Sequence, residues 1–152
     1  MVVLKGIPAV ISPELLYALA KMGHGDELVL ADINFPVSSV CKSGPTEIRA
    51  DGLTIPVLLE AILKFLPLDT YASYQAVVMD PVESDRGIEL PVWHLYSVLL
   101  KQAEPQANLT TLERFAFYER AKNAFAVVAT GETALYGNII IKKGVIRPEE
   151  LC

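Results

Sequence analysis

Residues 22–32 read Met-Gly-His-Gly-Asp-Glu-Leu-Val-Leu-Ala-Asp, a histidine between two glycines followed by a short apolar run. The run at 27–31 is continuous and bounded by acidic residues, which is the pattern of a strand buried on both faces. Runs of the same kind occur at 75–79, 125–129 and 138–141. The sequence therefore predicts at least four strands, and the first of them ends at Asp32.

Helical patterns lie between these strands, and their ends carry recognisable signals. A helix is expected after Ser12 and up to Gly23, another from Thr54 to about residue 65, a third over 90–102, and a fourth over 111–123, where Thr110 and Glu113 form a capping box. Helices that alternate with fully apolar strands indicate an α/β fold. We expect a three-layer α/β/α architecture with a largely parallel central sheet, formed by residues 1–152 as a single domain.

Composition excludes several classes of protein. Apolar residues make up 52% of the chain and charged residues 20%, which is too apolar for a disordered chain. The net charge of −5 and the lack of a basic run argue against a nucleic-acid binder or a membrane-surface protein. The mean hydropathy of +0.37 is high, but no apolar stretch approaches the roughly 20 residues that cross a bilayer. A deeply buried sheet and an oligomer that covers apolar surface both remain as explanations.

Processing signals and cysteine spacing point to the cytoplasm. Lys5, Pro8 and Glu14 interrupt what would have to be the apolar core of a signal peptide. Cys41 and Cys152 are far apart and belong to no Cys-x-x-Cys or Cys/His cluster, so a zinc site is not expected. Two free thiols in a reducing compartment are the simpler interpretation.

Of the two histidines, His24 is the candidate proton donor. Flanking glycines leave its ring accessible, the preceding helix C-terminus favours a protonated ring, and Asp26 is close enough in sequence to orient it. The alternative is that His24 only caps that helix. His94 lies in an apolar helix, where a packed or interface histidine is the better interpretation.

Polar residues near strand ends form a candidate binding site. Asp32 follows a strand at the position where open α/β sheets bind ligands, although it could simply belong to a turn. Tyr136 and Asn138 point the same way if their segment is extended, in a hairpin-like connection between two strands, and a phenol beside an amide suits an uncharged sugar. Residues 114–120 form a polar-aromatic helix, which could equally be a solvated surface. No phosphate-binding loop, metal triad or Ser-His-Asp order is present, so we expect no cofactor and no metal.

Taken together, these motifs resemble the RbsD/FucU family of sugar mutarotases and pyranases, and its fucose branch in particular. The matching segments span nearly the whole chain: residues 11–16, 22–27, Asp32 with Phe35-Pro36, 48–52, 114–121, 130–132, 136–138 and 143–145. Residues 81–108 match poorly and leave room for differences in packing or assembly.

The resemblance implies an RbsD-like fold and assigns roles to individual residues. His24 corresponds to the proton donor, and Tyr136 is the candidate second proton-transfer group. Sugar contacts are implied for a larger set: Asp32, Asp69, Met79, Tyr136, Asn138, and one or both of Arg114 and Arg120. The resemblance also implies a homo-oligomer, in which a site can take its histidine from a neighbouring subunit.

The implied activity is an isomerase of the aldose 1-epimerase type. It interconverts the α and β anomers of L-fucose by acid–base opening and closure of the ring, in fucose metabolism. One acid and one base suffice for this reaction. Two alternatives stay open: a pyranase that interconverts the pyranose and furanose forms of D-ribose, and a monosaccharide-binding subunit without catalytic activity.

Overall fold

A computed structural model describes residues 3–151, and within them the chain forms six strands and five helices. In chain order the elements are α1 (Pro13–Lys21), β1 (Glu27–Ala31), α2 (Val37–Cys41), β2 (Thr46–Ala50), α3 (Ile55–Ile62), β3 (Ala76–Met79), α4 (Pro91–Ala103), β4 (Leu109–Leu112), α5 (Arg114–Lys122), β5 (Ala126–Thr130) and β6 (Ile139–Lys142). Two short 3₁₀ turns lie at Glu83–Asp85 and Pro148–Glu150.

The strands form one sheet in the order β2-β5-β1-β6-β3-β4. Strand β6 runs antiparallel to its neighbours β1 and β3, and the other pairs are parallel. The predicted α/β fold with a largely parallel sheet is therefore confirmed. Because β6 lies between β1 and β3, the two strands that carry candidate site residues at their ends are held on either side of it.

Helices cover both faces of the sheet because alternate strand residues point to opposite sides. On one face Leu28 and Leu30 of β1 join a core with α1, α3 and α4, in which Leu15 and Leu58 are buried. On the other face Val29 packs in a second core against α2 and α5. The three-layer α/β/α arrangement predicted from the apolar strands is confirmed.

The candidate site residues lie at the two opposite ends of the parallel strands. We call the edge where the parallel strands begin the amino edge, and the edge where they end the carboxyl edge. Asp32 follows β1 and Met79 ends β3, so both lie at the carboxyl edge together with Asn138, which precedes the antiparallel β6. His24 precedes β1 and Asp69 precedes β3, so both lie at the amino edge.

Several local predictions were wrong. Thr110 lies in strand β4, and the following helix is capped by Glu113, whose carboxylate accepts from the Ala116 N–H at 3.0 Å. The Thr54 hydroxyl makes no capping bond to α3. The buried Glu132 carboxylate accepts from the Ile55 N–H at 3.0 Å instead. The connection between β5 and β6 is not a hairpin, because β1 separates those two strands in the sheet.

Burial in the sheet accounts for only part of the apolar residues that raise the mean hydropathy. Strands β1, β3 and β5 are almost wholly buried, yet several large apolar side chains are exposed, among them Tyr17, Tyr71 and Phe115. His94 is exposed in the single chain, so it is not a core histidine. No helix among residues 3–151 is both long and apolar enough to cross a membrane.

Candidate functional site

A cavity of about 310 Å³ opens at the carboxyl edge of the sheet. Polar, aromatic and aliphatic residues line it: Asp32, Asn34, Phe35, Met79, Val82, Asp85, Arg114, Tyr118, Leu135, Tyr136 and Asn138. Its volume lies in the range of small-molecule sites. Five residues predicted from the sequence meet here: they come from the ends of β1 and β3, from the start of α5 and from the connection that leads into β6. We call this cavity the carboxyl-edge pocket.

Asp32 is the buried carboxylate of this pocket, with 5% of its surface exposed. Its Oδ1 accepts from the Asn34 N–H at 3.0 Å, and its own N–H donates to Oδ1 of Asn138 at 2.7 Å. Burial raises the pKa of Asp32, although hydrogen bonds from nearby backbone N–H groups oppose the rise. The Oδ1 of Asn138 is held by the bond from the Asp32 N–H, and its Nδ2 can donate to a ligand.

Tyr136 reaches the pocket from a turn and not from an extended segment. Its φ of 53° is in the left-handed region, so the expected extended geometry is wrong, although its side chain and that of Asn138 still line the same cavity. Helix α4 fixes this turn: Nε1 of Trp93 donates to the Tyr136 carbonyl at 2.9 Å, and Oη of Tyr96 donates to the Gly137 carbonyl at 2.6 Å.

The Tyr136 hydroxyl is engaged by the segment that follows β3. Its Oη donates to Oδ2 of Asp85 at 2.6 Å and accepts from the Val82 N–H at 3.3 Å. The hydrogen bond to the Asp85 carboxylate raises the pKa of Tyr136, because the carboxylate stabilises the protonated phenol. The group is therefore a neutral phenol at physiological pH.

Arg114 brings a positive charge to the wall of the pocket. It begins α5, and its guanidinium lies 5.8 Å from the ring centre of Tyr118 and 5.6 Å from that of Phe115. Stacking on an aromatic face holds a guanidinium in place while its N–H groups stay free for a ligand. Of the two arginines left open by the sequence, Arg114 is the one that lines this pocket.

His24 lies at the amino edge and pairs with Asp69. Its Nε2 is 3.0 Å from Oδ1 of Asp69, and its ring lies 5.6 Å from that of Tyr71. The Asp69 carboxylate is buried, whereas 47% of the His24 side chain is exposed. Asp26, expected to orient the ring, instead accepts from the Gly23 N–H at 2.7 Å. The orienting carboxylate is thus Asp69, which sequence reasoning had placed among the sugar contacts.

The residues that follow β6 connect the loop that carries His24 to the loop that carries Asp69. Lys143 exchanges backbone bonds of 2.8 Å with Gly25 and Asp26, and its ammonium donates to the carbonyls of Leu19 and Met22. The C-terminus of α1 is therefore capped by Lys143 and not by His24. Gly144 donates its N–H to the Pro67 carbonyl at 2.8 Å, which places the loop that carries Asp69.

The two groups of candidate residues lie far apart within one chain. Strand β1 has five residues, so it separates His24 from Asp32 by about 16 Å or more. Arg120 is also outside the carboxyl-edge pocket. Its guanidinium pairs with Glu27 and donates to the Tyr74 hydroxyl, and the bond to Glu27 raises its pKa.

A second, wider cavity of about 460 Å³ lies on the other side of Asp32 and Phe35. Ser38, Ser39 and Arg49 contribute to its walls. The guanidinium of Arg49 donates to the carboxylates of both Glu47 and Asp51, so its charge is balanced locally. This cavity is less suited than the carboxyl-edge pocket to grip a small polar ligand.

Sequence reasoning missed six of the residues that line the carboxyl-edge pocket: Asn34, Phe35, Val82, Asp85, Tyr118 and Leu135. Asp85 and Val82 belong to the segment after β3 that matches the family pattern poorly, and nothing in their spacing marks them. Tyr118 belongs to the polar-aromatic segment 114–120, but its position in the sequence did not assign it to the site. Among residues 3–151, no group of three or more His, Cys, Asp or Glu side chains is arranged to hold a metal ion.

Comparisons with known proteins identify the family and the fold of the chain. The model of the RbsD/FucU transport protein family matches residues 5–146. The fucose mutarotase of Danio rerio is 71% identical over 154 aligned residues that cover 100% of both chains. The fold also matches FucU from Bifidobacterium longum, with a TM-score of 0.90, 47% identity, and coverage of 94% of this chain and 100% of that chain.

A second solved structure of similar fold is a complex with L-fucose. The fucose mutarotase of Streptococcus pneumoniae in complex with L-fucose matches with a TM-score of 0.86 and 46% identity. The match covers 95% of this chain and 100% of that chain. The likeness therefore extends over the whole sheet and both of its edges.

Proposed function

Because the chain belongs to the RbsD/FucU family, we propose that it is an isomerase that interconverts the α and β anomers of L-fucose. The observation that carries the proposal is the carboxyl-edge pocket, where a buried carboxylate, an amide, a phenol and a guanidinium converge. This set offers acceptors and donors for several hydroxyl groups. It lacks the cluster of cations that a phosphorylated sugar would require.

We propose that the sugar hydroxyls are held by Asp32, Asn138 and Arg114. The Asp32 carboxylate accepts from hydroxyl groups, and the Asn138 amide and the Arg114 guanidinium donate to them. Met79 and Phe35 supply apolar surface in the same cavity, which suits the methyl group of a 6-deoxy sugar. Arg120 takes no part in this arrangement, because Glu27 and Tyr74 occupy its guanidinium.

We further propose that a neighbouring copy of the chain completes the site. The carboxyl-edge pocket holds Tyr136 but no histidine among its lining residues, and His24 of the same chain lies across the length of β1. An oligomer that sets the amino edge of one subunit against the carboxyl edge of another brings His24 and Asp69 to the sugar. The exposed apolar residues that include Tyr71 and Leu135 are available for such an interface.

In the proposed mechanism, His24 acts as the acid. Asp69 can only accept at the His24 Nε2, so this nitrogen carries a hydrogen and Nδ1 is the ring atom left to face the sugar. A protonated Nδ1 donates to the ring oxygen while a base takes the proton of the anomeric hydroxyl. The C1–O bond breaks, the aldehyde rotates, and the ring closes on its other face.

We assign the base to Tyr136, whose hydroxyl lies in the pocket. General acid–base catalysis contributes roughly 10²–10⁴ in rate per group. That range suits a reaction that already proceeds slowly in water, and neither half of it requires a cofactor or a covalent nucleophile.

Saturation-transfer NMR on L-fucose tests the proposal, because it measures exchange between the anomers directly. The purified protein is expected to accelerate exchange, His24→Ala to abolish the acceleration, and His94→Ala, which alters the exposed histidine of α4, to leave it unchanged. Parallel measurements on D-ribose detect pyranase activity. Binding of L-fucose without any acceleration would establish a binding subunit and overturn the proposal.

The proposed compartment is the cytoplasm. Cys41 is a free thiol in the structure, and Cys152 lies outside the described residues. Free thiols are typical of reducing compartments. Fractionation of cells that express the protein tests this assignment.

A further inference from the structure

The carboxylate of Asp85 lies against the phenol that we assign as the base. It belongs to the 3₁₀ turn Glu83–Asp85, which places its Oδ2 2.6 Å from Oη of Tyr136. The other two carboxylates of this segment are used elsewhere: Asp80 and Glu83 both accept from the guanidinium of Arg86, at 2.9 and 3.0 Å. Arg86 thereby braces the segment, and the Asp85 carboxylate is turned into the pocket.

The hydrogen bonds at Oη of Tyr136 restrict what this group can do to a sugar. A phenol has one hydrogen to donate and two lone pairs that accept. The hydrogen goes to Asp85, and one lone pair accepts from the Val82 N–H. The remaining lone pair can only accept from a substrate hydroxyl. In this geometry Tyr136 faces the sugar as an acceptor of a proton and not as a donor.

We infer that Asp85 is a positioning residue that acts through Tyr136. When the sugar ring opens, Asp85 takes the proton that the phenol of Tyr136 passes on. This inference rests on the proposed function. The anomeric O–H gives its proton to Oη of Tyr136, and the phenol hydrogen moves to Oδ2 of Asp85. At the same time the acid gives a proton to the ring oxygen, which keeps the electron pair of the breaking C1–O bond. Ring closure reverses each transfer, so Asp85, Tyr136 and the acid all return to their initial states.

The surroundings of the Tyr136–Asp85 pair allow this relay. The segment after β1 contributes the buried Asp32 carboxylate, and α5 contributes Arg114 and the phenol of Tyr118. The positive charge of Arg114 favours an anionic state of the sugar oxygen or the phenol as the proton leaves. The acceptor, the relay and the balancing charge therefore come from three separate elements that meet at the pocket.

Three variants test the inference in the full-length protein. Asp85→Asn keeps an oxygen that accepts from the phenol but has no basicity, so we expect a loss in kcat of about 10²-fold with KM almost unchanged. Asp85→Glu restores a carboxylate and is expected to recover part of the rate. Glu89→Gln removes an exposed carboxylate four residues away, outside the Arg86 brace, and is expected to keep the wild-type rate.

A double-mutant cycle separates the relay from a structural role. In a Tyr136→Phe background, adding Asp85→Asn is expected to cause no further loss, because Asp85 acts only through the phenol. An additive loss, or an Asp85→Asn variant within twofold of wild type, would overturn the inference. If the wild-type protein itself fails to accelerate anomer exchange, the proposed function fails, and the two failures are therefore distinguishable.

Discussion

Nε2 of His24 lies 3.0 Å from Oδ1 of Asp69, although the two residues are 45 positions apart in the chain. The contact exists because β6 is inserted antiparallel between β1 and β3, so that the residues after its end bind the loop before β1 and the loop before β3 together. A buried carboxylate at one ring nitrogen fixes which nitrogen faces outward. This pair is the one that we propose as the acid of the reaction, and its geometry is already set in the single chain.

Replacement of Asp69 by Asn is expected to lower kcat for anomer exchange by about 10²-fold, because the amide no longer stabilises a protonated His24 ring. The measurement is saturation-transfer NMR at saturating L-fucose. Asp26→Asn is the matched control, since Asp26 binds the Gly23 N–H and not the ring. Equal rates for Asp69→Asn and wild type would show that the carboxylate does not support the acid.

Substitutions of the two arginines of α5 are expected to affect different properties, substrate binding in one case and stability in the other. Arg114→Gln raises KM for L-fucose with little change in the free energy of unfolding, because Arg114 lines the carboxyl-edge pocket. Arg120→Gln leaves the Glu27 carboxylate half-buried without its partner and lowers the free energy of unfolding by about 1.5–3 kcal/mol. Urea denaturation and initial-rate measurements on both variants test this division. The reverse pattern would place Arg120 at the sugar.

Gly144→Ala is expected to destabilise the protein and to displace Asp69. A Cβ atom at this position would meet the Leu68 carbonyl and would lie 2.9 Å from Cα of Asp69, so the backbone must move. Overpacking of this kind costs about 1–3 kcal/mol in the free energy of unfolding. Gly23→Ala is the control, because its Cβ would meet only Oδ2 of Asp26 at 3.7 Å. A Gly144→Ala variant with wild-type stability contradicts the packing described here.

Asp32→Asn is expected to abolish fucose binding yet to raise the melting temperature at neutral pH. Burial raises the pKa of Asp32 above its unfolded value, so the folded state holds the proton more tightly than the unfolded state does. The ionised carboxylate therefore lowers stability as pH increases through the interval between the two pKa values, and the neutral amide removes this loss. Thermal unfolding at pH 3 and pH 7 measures this effect. We expect the melting temperature of Asp32→Asn to exceed that of wild type at pH 7, and the difference to shrink at pH 3. A variant that is less stable than wild type at pH 7 contradicts this account of Asp32.

The buried strands were predictable and the edge strands were not. Strands β1, β3 and β5 are apolar on both faces, and that pattern follows directly from their burial. Strand β2 is the outermost strand on one side of the sheet. Its residues Thr46, Glu47 and Arg49 are exposed, so its sequence has no apolar run. Strand β4 is the outermost strand on the opposite side, and one of its two threonines, Thr110, fits the sequence pattern of a helix cap. Edge strands need only one covered face, which weakens their signal.

Individual site residues were predictable where they adjoin a strand end. Asp32 follows one apolar run and Asn138 precedes another, and the two residues meet at one edge because β6 runs antiparallel to β1. The pairing of His24 with Asp69 depends on the position of β6 in the sheet, which local patterns do not encode. Asp85 lies in a turn without periodicity, so only its contact with Tyr136 identifies it.

The claim that the amino edge of one subunit completes the carboxyl-edge pocket of another can be tested with mixed oligomers. His24→Ala keeps an intact pocket, and Asp32→Asn keeps an intact acid, so each variant alone should be inactive. After subunit exchange at equal amounts, about a quarter of the sites should combine both intact halves and regain anomer exchange by saturation-transfer NMR. Recovery to this level is the predicted result. Mixed oligomers that form, as checked by mass spectrometry, but stay as inactive as either parent would contradict the account.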